Sequence, residues 1–161
     1  MFKKYSFLVF SLPLFFMANS VFALELAGVV ERIQGSAQII SNASQKALQA
    51  KSEIFQGDQI TTASDAEILI RMTDGTVMAI RPSTNIIISE YRLDNKHSDN
   101  DNMLIMLVKG GFRTVTGAIG KKNPQKVRFN TPTATIGIRG TDFEVTVLDE
   151  KKQDAEAGTY N

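Results

Sequence analysis

The sequence contains no cysteine and no tryptophan, a single histidine, four prolines and three tyrosines. Without cysteine there is no disulfide staple, no thiolate nucleophile, no thiolate-bound zinc and no lipid-modified N-terminal cysteine. Charge of one sign is also scarce: 18 Lys and Arg stand against 17 Asp and Glu, a formal net charge of +1. Such a chain carries neither the broad basic field nor the polybasic arm that holds a nucleic-acid backbone, so no nucleic-acid partner is expected. With 161 residues and 43% hydrophobic side chains, the composition suits one globular domain that buries roughly two thirds of its extended surface without covalent staples.

One long apolar run is present, at the N-terminus. Lys3 and Lys4 precede the run Phe7 to Met17 (FLVFSLPLFFM), and Val21-Phe22-Ala23 puts small or β-branched residues at the positions a signal peptidase reads. Ser11 and Pro13 interrupt the run and Asn19-Ser20 follow it, which leaves it short of the ~20 apolar residues of a membrane-spanning helix. Residues 1–23 are therefore read as a cleaved signal peptide and 24–161 as the exported domain, with no transmembrane segment after cleavage. Removing Lys3 and Lys4 turns the small positive balance into a small negative one.

The remainder repeats the period of two that marks half-buried strands. Ala66, Ile68, Ile70 and Met72 alternate with Glu67, Leu69 and Arg71, and Asp74-Gly75 then separates this run from Val77 to Ile80. Asp-Gly between two such runs predicts a type I′ hairpin turn. Similar strand patterns occupy 29–33, 37–40, 59–62, 84–89, 103–108, 112–119, 127–130, 135–138 and 143–148, with Gly, Pro and Asn signals between them. Ala43 to Ile54 has apolar residues too sparse for a helical stripe and reads as a loop or hairpin. Leu93 to Asn102 (LDNKHSDNDN) reads as a long solvated connection. The fold class is all-β, an antiparallel β-sandwich or rolled sheet.

Five fragments then carry a resemblance: Phe55 to Thr62 (FQGDQITT), Thr73-Asp74-Gly75-Thr76, Leu107 to Phe112 (LVKGGF), Asn130-Thr131-Pro132-Thr133-Ala134 and Ile138 to Phe143 (IRGTDF). In this order and spacing the sequence resembles the FecR domain over about residues 50–150. GGFRTVTGAIG (Gly110 to Gly120) with TIGIRGT (Thr135 to Thr141) is similar to exported, free-standing FecR-domain proteins rather than to the iron-dicitrate regulator. The resemblance implies a bacterial, periplasmic sensing or protein-binding domain. In the family's regulators such a domain relays a signal from an outer-membrane receptor to a cytoplasmic sigma factor. Those regulators carry a cytoplasmic helical domain and a membrane helix before the periplasmic part, whereas here a signal peptide leads into the β region. The family pattern also continues into further strands where this chain has the polar run DEKKQDAEAG and then Thr159-Tyr160-Asn161. The C-terminal strands are therefore expected to be missing, through a shortened product or as an open edge that a partner strand completes.

The motif residues have scaffold explanations. Gly57 and Asp58 suit a tight turn in which the Asp side chain closes onto backbone amides two residues on. Gly110 and Gly111 allow a bulge or sharp corner between apolar strands. Pro132 fixes its own φ and holds Thr131 extended, ending one strand and setting up the next. Gly137 and Gly140 flank Ile138-Arg139 and permit close passage of another strand, with Thr141 and Asp142 leading into Phe143, Val145 and Val147 on the core side.

Chemistry-bearing clusters are few. His97 lies in the polar connection with no triad spacing around it. Asp94, Asp99, Asn100, Asp101 and Asn102 offer oxygen ligands, but the glycine and terminal glutamate of a calcium loop are absent. Gly117 to Lys121 (GAIGK) lacks the four-residue spacing and the Ser or Thr of a phosphate loop. No catalytic residue, metal or cofactor is expected, and the chain is read as not an enzyme. One basic segment stands out: Arg113, Lys121, Lys122, Lys126, Arg128 and Arg139, with no Asp or Glu between Asp101 and Asp142. Alternation places Lys126 and Arg128 opposite Val127 and Phe129. The segment offers a surface for an acidic protein, an anionic glycan or lipid head groups, or guards an exposed sheet.

The expectation is a non-enzymatic periplasmic module that binds another envelope protein or senses a signal. A carbohydrate or cell-wall module and a sigma-factor signalling component are the alternatives. Aromatic supply for stacking on a glycan is thin, because Tyr91 and Tyr160 are the only tyrosines after residue 23.

Overall fold

The computed structural model describes residues 24–94, 96–138 and 140–147; the segment read as a signal peptide, Arg139 and the run from Leu148 onward lie outside the described residues. The strands are β1 Leu26–Gln34, β2 Ala37–Ser41, β3 Ser44–Ala47, β4 Glu53–Phe55, β5 Gln59–Thr62, β6 Glu67–Met72, β7 Val77–Ile80 and β8 Asn85–Arg92. They continue as β9 Asn102–Val115, β10 Val127–Asn130, β11 Thr135–Gly137 and β12 Asp142–Val147. A short helix α1, Ala118–Lys122, and single 3-10 turns at Ser98–Asn100 and Pro124–Lys126 interrupt them. Among the described residues no helix is long and apolar enough to cross a membrane.

All the described strands belong to one hydrogen-bonded sheet with the central order β3-β2-β5-β8-β9-β7-β6-β1-β4. The sheet is curled, and β9 is the reason. Its first part pairs with β8 and β10, its second with β7 and β12. One strand therefore serves two half-sheets, whose inner faces close over a single core that includes Ile60, Ile88 and Ile105 from the first half and Ile70, Met78 and Phe112 from the second. The expectation of separate strands at 103–108 and 112–119 is corrected: they are one strand, and it stops at Val115.

The bend sits at the double glycine. Gly110 has φ +81°, and a Cβ there would lie 2.4 Å from Thr84 Oγ1 and 2.6 Å from Thr84 Cα. The Thr84 hydroxyl donates to the Gly111 carbonyl at 3.1 Å and accepts the Gly111 N–H at 3.0 Å, so the turn is closed by the neighbouring strand. The β8–β9 register slips beside Val108. Inward positions consequently change phase, from Met103, Ile105 and Leu107 to Phe112 and Thr114. A bulge of this kind bends a strand while keeping its apolar set on the core side.

The pairing of β10 with β9 is parallel, a departure from an otherwise antiparallel arrangement. A parallel partner requires a crossover, which α1 and the Pro124–Lys126 turn supply. Phe129 of β10 then packs against Phe112 at 5.1 Å between ring centroids, and against Phe143 of β12 at 5.2 Å. Aromatic contacts thus join both half-sheets to the last described strand.

Two turns differ from expectation in an instructive way. Asp74-Gly75 does close the β6–β7 hairpin, but the loop has three residues. Gly75 N–H bonds the Met72 carbonyl at 3.0 Å and Met72 N–H bonds the Thr76 carbonyl at 2.8 Å, and in this loop Gly75 alone is left-handed, φ +85°. This is a type I turn with a glycine bulge. The type I′ geometry occurs instead between β2 and β3, where Asn42 and Ala43 have φ +48° and +61°. The segment 43–54, read as a loop or hairpin, supplies β3 of that hairpin and then β4.

The helix α1 begins inside a segment expected to be strand, and its cause is the β6–β7 turn. The Asp74 carbonyl accepts the Ala118 N–H at 2.8 Å, and the Asp74 carboxylate accepts the Ile119 N–H at 3.2 Å. The Gly117 N–H goes to Thr76 Oγ1 at 2.8 Å. These donors are the ones a helix leaves unsatisfied at its start. A carboxylate from a distant turn therefore caps the helix, as a local Asp would.

Candidate functional site

At one end of the first half-sheet, the connection after β8 and the 3-10 turn before β10 overhang the sheet and leave an open groove of about 710 Å³. Strand alternation decides what faces it. Glu90 and Arg128 both pair with Leu104, from opposite sides, while Arg92 pairs with Asn102. The intervening row, Tyr91, Met103 and Val127, points into the core. The groove wall is thus charged and amide-bearing, with Gln56 at one side and Gln125 and Lys126 at the other.

Hydrogen bonds hold this wall in place. Gln56 Oε1 accepts the Tyr91 N–H at 3.1 Å, which turns its amide NH2 away from the strand. Asn102 Nδ2 donates to Glu90, and Arg128 Nη2 lies 3.9 Å from the same carboxylate. Asp101, buried, accepts the Asp94 N–H at 2.7 Å. Asp94 in turn takes the Asn100 amide and the N–H groups of Lys96 and His97. Those bonds, led by the one from Asn100, pull its carboxyl down to about 2. Asp94 and Asp101 thus spend carboxylate oxygens on closing a folded turn, and Asp101 is buried rather than solvated. His97 is exposed, with Nδ1 3.6 Å from Asp94.

Beneath the groove, the Tyr91 hydroxyl reaches across the core to the β6–β7 turn. It shares a hydrogen bond with Thr73 Oγ1 at 2.7 Å and accepts the Asp74 N–H at 2.9 Å. Burial pushes its phenol up to about 12. Floor and hairpin turn are in this way one buried polar unit.

The basic segment does not form one patch. Lys126 and Arg128 line the groove. Arg113 lies on the outer face of the second half-sheet and is forked onto Asp142, Nε to Oδ1 at 2.9 Å and Nη2 to Oδ2 at 2.5 Å. That pair holds the Asp142 carboxyl below its usual range, and beside it Arg81 bridges Glu144 at 2.6 Å. Lys121 and Lys122 are exposed on α1, away from the groove wall, and Arg139 lies outside the described residues. Arg92 and Glu90 join the groove from outside every motif of the sequence, while Gln56 comes from the FQGDQITT fragment. The signal that could have found Arg92 and Glu90 is their shared outward phase on β8, next to the polar connection.

The family-motif residues serve the scaffold. Asp58 is buried and closes its turn backwards, accepting the Phe55 N–H at 2.8 Å rather than amides further on, while Gly57 takes φ +89°. Pro132 sits in the β10–β11 turn, which Thr131 closes by accepting the Ala134 N–H at 3.0 Å on its hydroxyl. Thr141 and Gly140 offer carbonyls to the Thr116 hydroxyl. The expected close passage at Gly137 and Gly140 is not seen, since among the described residues nothing approaches where a Cβ of either would stand. Close approach occurs instead at Gly117, whose Cβ would meet Thr76 N at 2.3 Å. That packing is what the GAIGK glycine serves.

A solved structure described as a cell surface anchoring domain is similar over 38% of this chain and 82% of that chain, at 24% identity and a TM-score of 0.37. No protein with a curated description matches the sequence. The family model described as FecR protein matches residues 58–160, more than half of the chain and with it most of the motif residues placed above. The chain therefore belongs to the FecR family, whose members are associated with the bacterial envelope.

Proposed function

We propose that this protein is a non-enzymatic binding or signal-sensing module, exported to the periplasm, which engages another component of the envelope through the groove at the end of the first half-sheet. The observation that carries this reading is the groove itself, about 710 Å³ with polar walls in which strand register sets the outward phase of Glu90, Arg92 and Arg128 and main-chain N–H groups hold Gln56 and Asp101. Family membership supplies the envelope setting. A pre-formed concavity with a few positioned polar groups is the usual form of a recognition site. The mixture of Glu90, Asp99, Arg92 and Lys126 offers contacts of both signs rather than a nucleophile with its base.

The test is in-cell photocrosslinking of the tagged protein with the reactive residue at Gln125, on the groove, or at Gln45, on the distant edge strand β3. Capture of the same envelope component from Gln125 and not from Gln45 is the expected result. Equal capture from both positions, or capture of cytoplasmic components only, overturns the reading.

A further inference from the structure

We propose that the groove binds a glycan carrying carboxylate groups, with Arg92 and Lys126 as its anion contacts and Gln56, Asn102 and Gln125 as hydrogen-bonding partners. This rests on the binding-module reading and gives the chemical class of its ligand.

Several cations of the sheet are already committed to carboxylates. Arg71, Arg81 and Arg113 each hold a carboxylate on the outer face of the second half-sheet. In the groove Arg128 leans on Glu90. Arg92 and Lys126 line the same wall with no carboxylate in ion-pair range among the described residues. Uncommitted cations at a concave wall concentrate anions there. A guanidinium also matches a carboxylate with two parallel hydrogen bonds.

The carboxylates of the groove narrow the class further. Glu90, Asp99 and Asp101 are acceptors in the same wall, and they repel a densely charged chain such as a polyphosphate. They call for a ligand that brings its own O–H or N–H donors beside sparse negative charge. Sugar hydroxyls and acetamido groups are such donors, and a uronic acid or a lactyl-bearing sugar adds the carboxylate. An acidic peptide fits less well. Peptides anchor through apolar side chains in pockets or by adding a strand to a free edge. Here the one aromatic of the wall, Tyr91, is 1% exposed, β9 has strand neighbours on both sides, and at the end of β8 the Tyr91 and Leu93 N–H groups are already taken by Gln56 and Glu25.

The experiment is an NMR titration of the full exported chain with short oligogalacturonates, with neutral cello-oligosaccharides and a glutamate peptide as comparators. Expected are shifts confined to residues around Arg92, Asn102 and Gln125 to Arg128, strong salt dependence, and no response to the neutral sugar. Arg92→Gln and Lys126→Gln should each weaken binding about five-fold, the size of one solvent-exposed ion pair. Glu90→Gln should tighten it about two-fold by releasing Arg128, and Arg71→Gln should leave it unchanged. The proposal is overturned by no binding of the uronate, by equal or tighter binding of the glutamate peptide in the groove, or by equal weakening with Arg71→Gln. If the uronate fails while crosslinking from Gln125 still captures one envelope component, the glycan is removed and the binding module stands. If both fail, both are removed.

Discussion

The carboxylate of Asp74, in the turn between β6 and β7, accepts the backbone N–H of Ile119, a residue 45 positions further along the chain. The same carboxylate takes the Thr76 N–H at 2.9 Å and the Thr76 hydroxyl at 3.0 Å, all in a buried setting. Hairpin turn, crossover helix and, through Tyr91, the groove floor are thereby tied at one residue.

Asp74→Ala should consequently destabilise the protein by about 2–3 kcal/mol, because several buried donors lose their acceptor at once. Asp74→Asn keeps one acceptor oxygen and should cost less. Urea unfolding measures both, and a loss below about 0.5 kcal/mol for the alanine variant would show that the cap does not matter.

Ala43 sits in the second left-handed position of the β2–β3 turn, at φ +61° on an exposed loop. A side chain there costs about 1–2 kcal/mol that glycine avoids, against a smaller entropic loss. Ala43→Gly should therefore raise stability by about 0.5–1 kcal/mol. An unchanged or lower melting temperature contradicts the turn geometry.

Gly110→Ala and Gly137→Ala make an opposed pair. The first places a Cβ against Thr84 backbone at a positive φ, and the second meets open space. Gly110→Ala should lose about 3 kcal/mol or more, or fail to fold, because the bend of β9 cannot relax without parting it from β8. Gly137→Ala should stay within about 0.5 kcal/mol of the parent. Similar losses in the two variants would remove the special role given to the bend.

Tyr91 provides the pH prediction. Its folded-state phenol is raised to about 12, mainly by burial, while an unfolded tyrosine titrates near ~10. The raised value means the folded state favours the neutral phenol. That contribution is fully present below about pH 10 and is lost as pH rises towards 12. Absorbance at alkaline pH should show a late phenolate phase that vanishes in Tyr91→Phe, and this variant should lose about 1–2 kcal/mol at neutral pH through the Thr73 and Asp74 bonds. A tyrosine titration complete near ~10 would rule out the buried hydroxyl network.

Much of this was legible along the chain. Period-two alternation marks β6, β7, β8 and β10, and the inward and outward assignment of Val127 to Phe129 follows from it directly, whereas Lys126 belongs to the 3-10 turn before the strand. The double glycine marks the bend because two residues without Cβ between apolar runs leave room for a neighbouring strand. The ordered fragments from FQGDQITT to IRGTDF carry the family. All of these signals are local or need only the order of local signals.

What escaped is what depends on distant partners. Residues 116–119 alternate like a strand, yet Ala118 and Ile119 turn helical because the Asp74 turn takes up their N–H groups. Their conformation was decided by a residue that no local window contains. The basic segment reads as one cluster because its residues are near in sequence, but strand register sends Arg113 to the Asp142 face and Arg128 to the Glu90 groove. Arg92 enters that groove only because β8 and β10 flank the same strand, β9. Local chemistry determines where a chain extends, turns and alternates. The curled sheet decides which charges meet, because register over β9 sets the distances between side chains that are tens of residues apart.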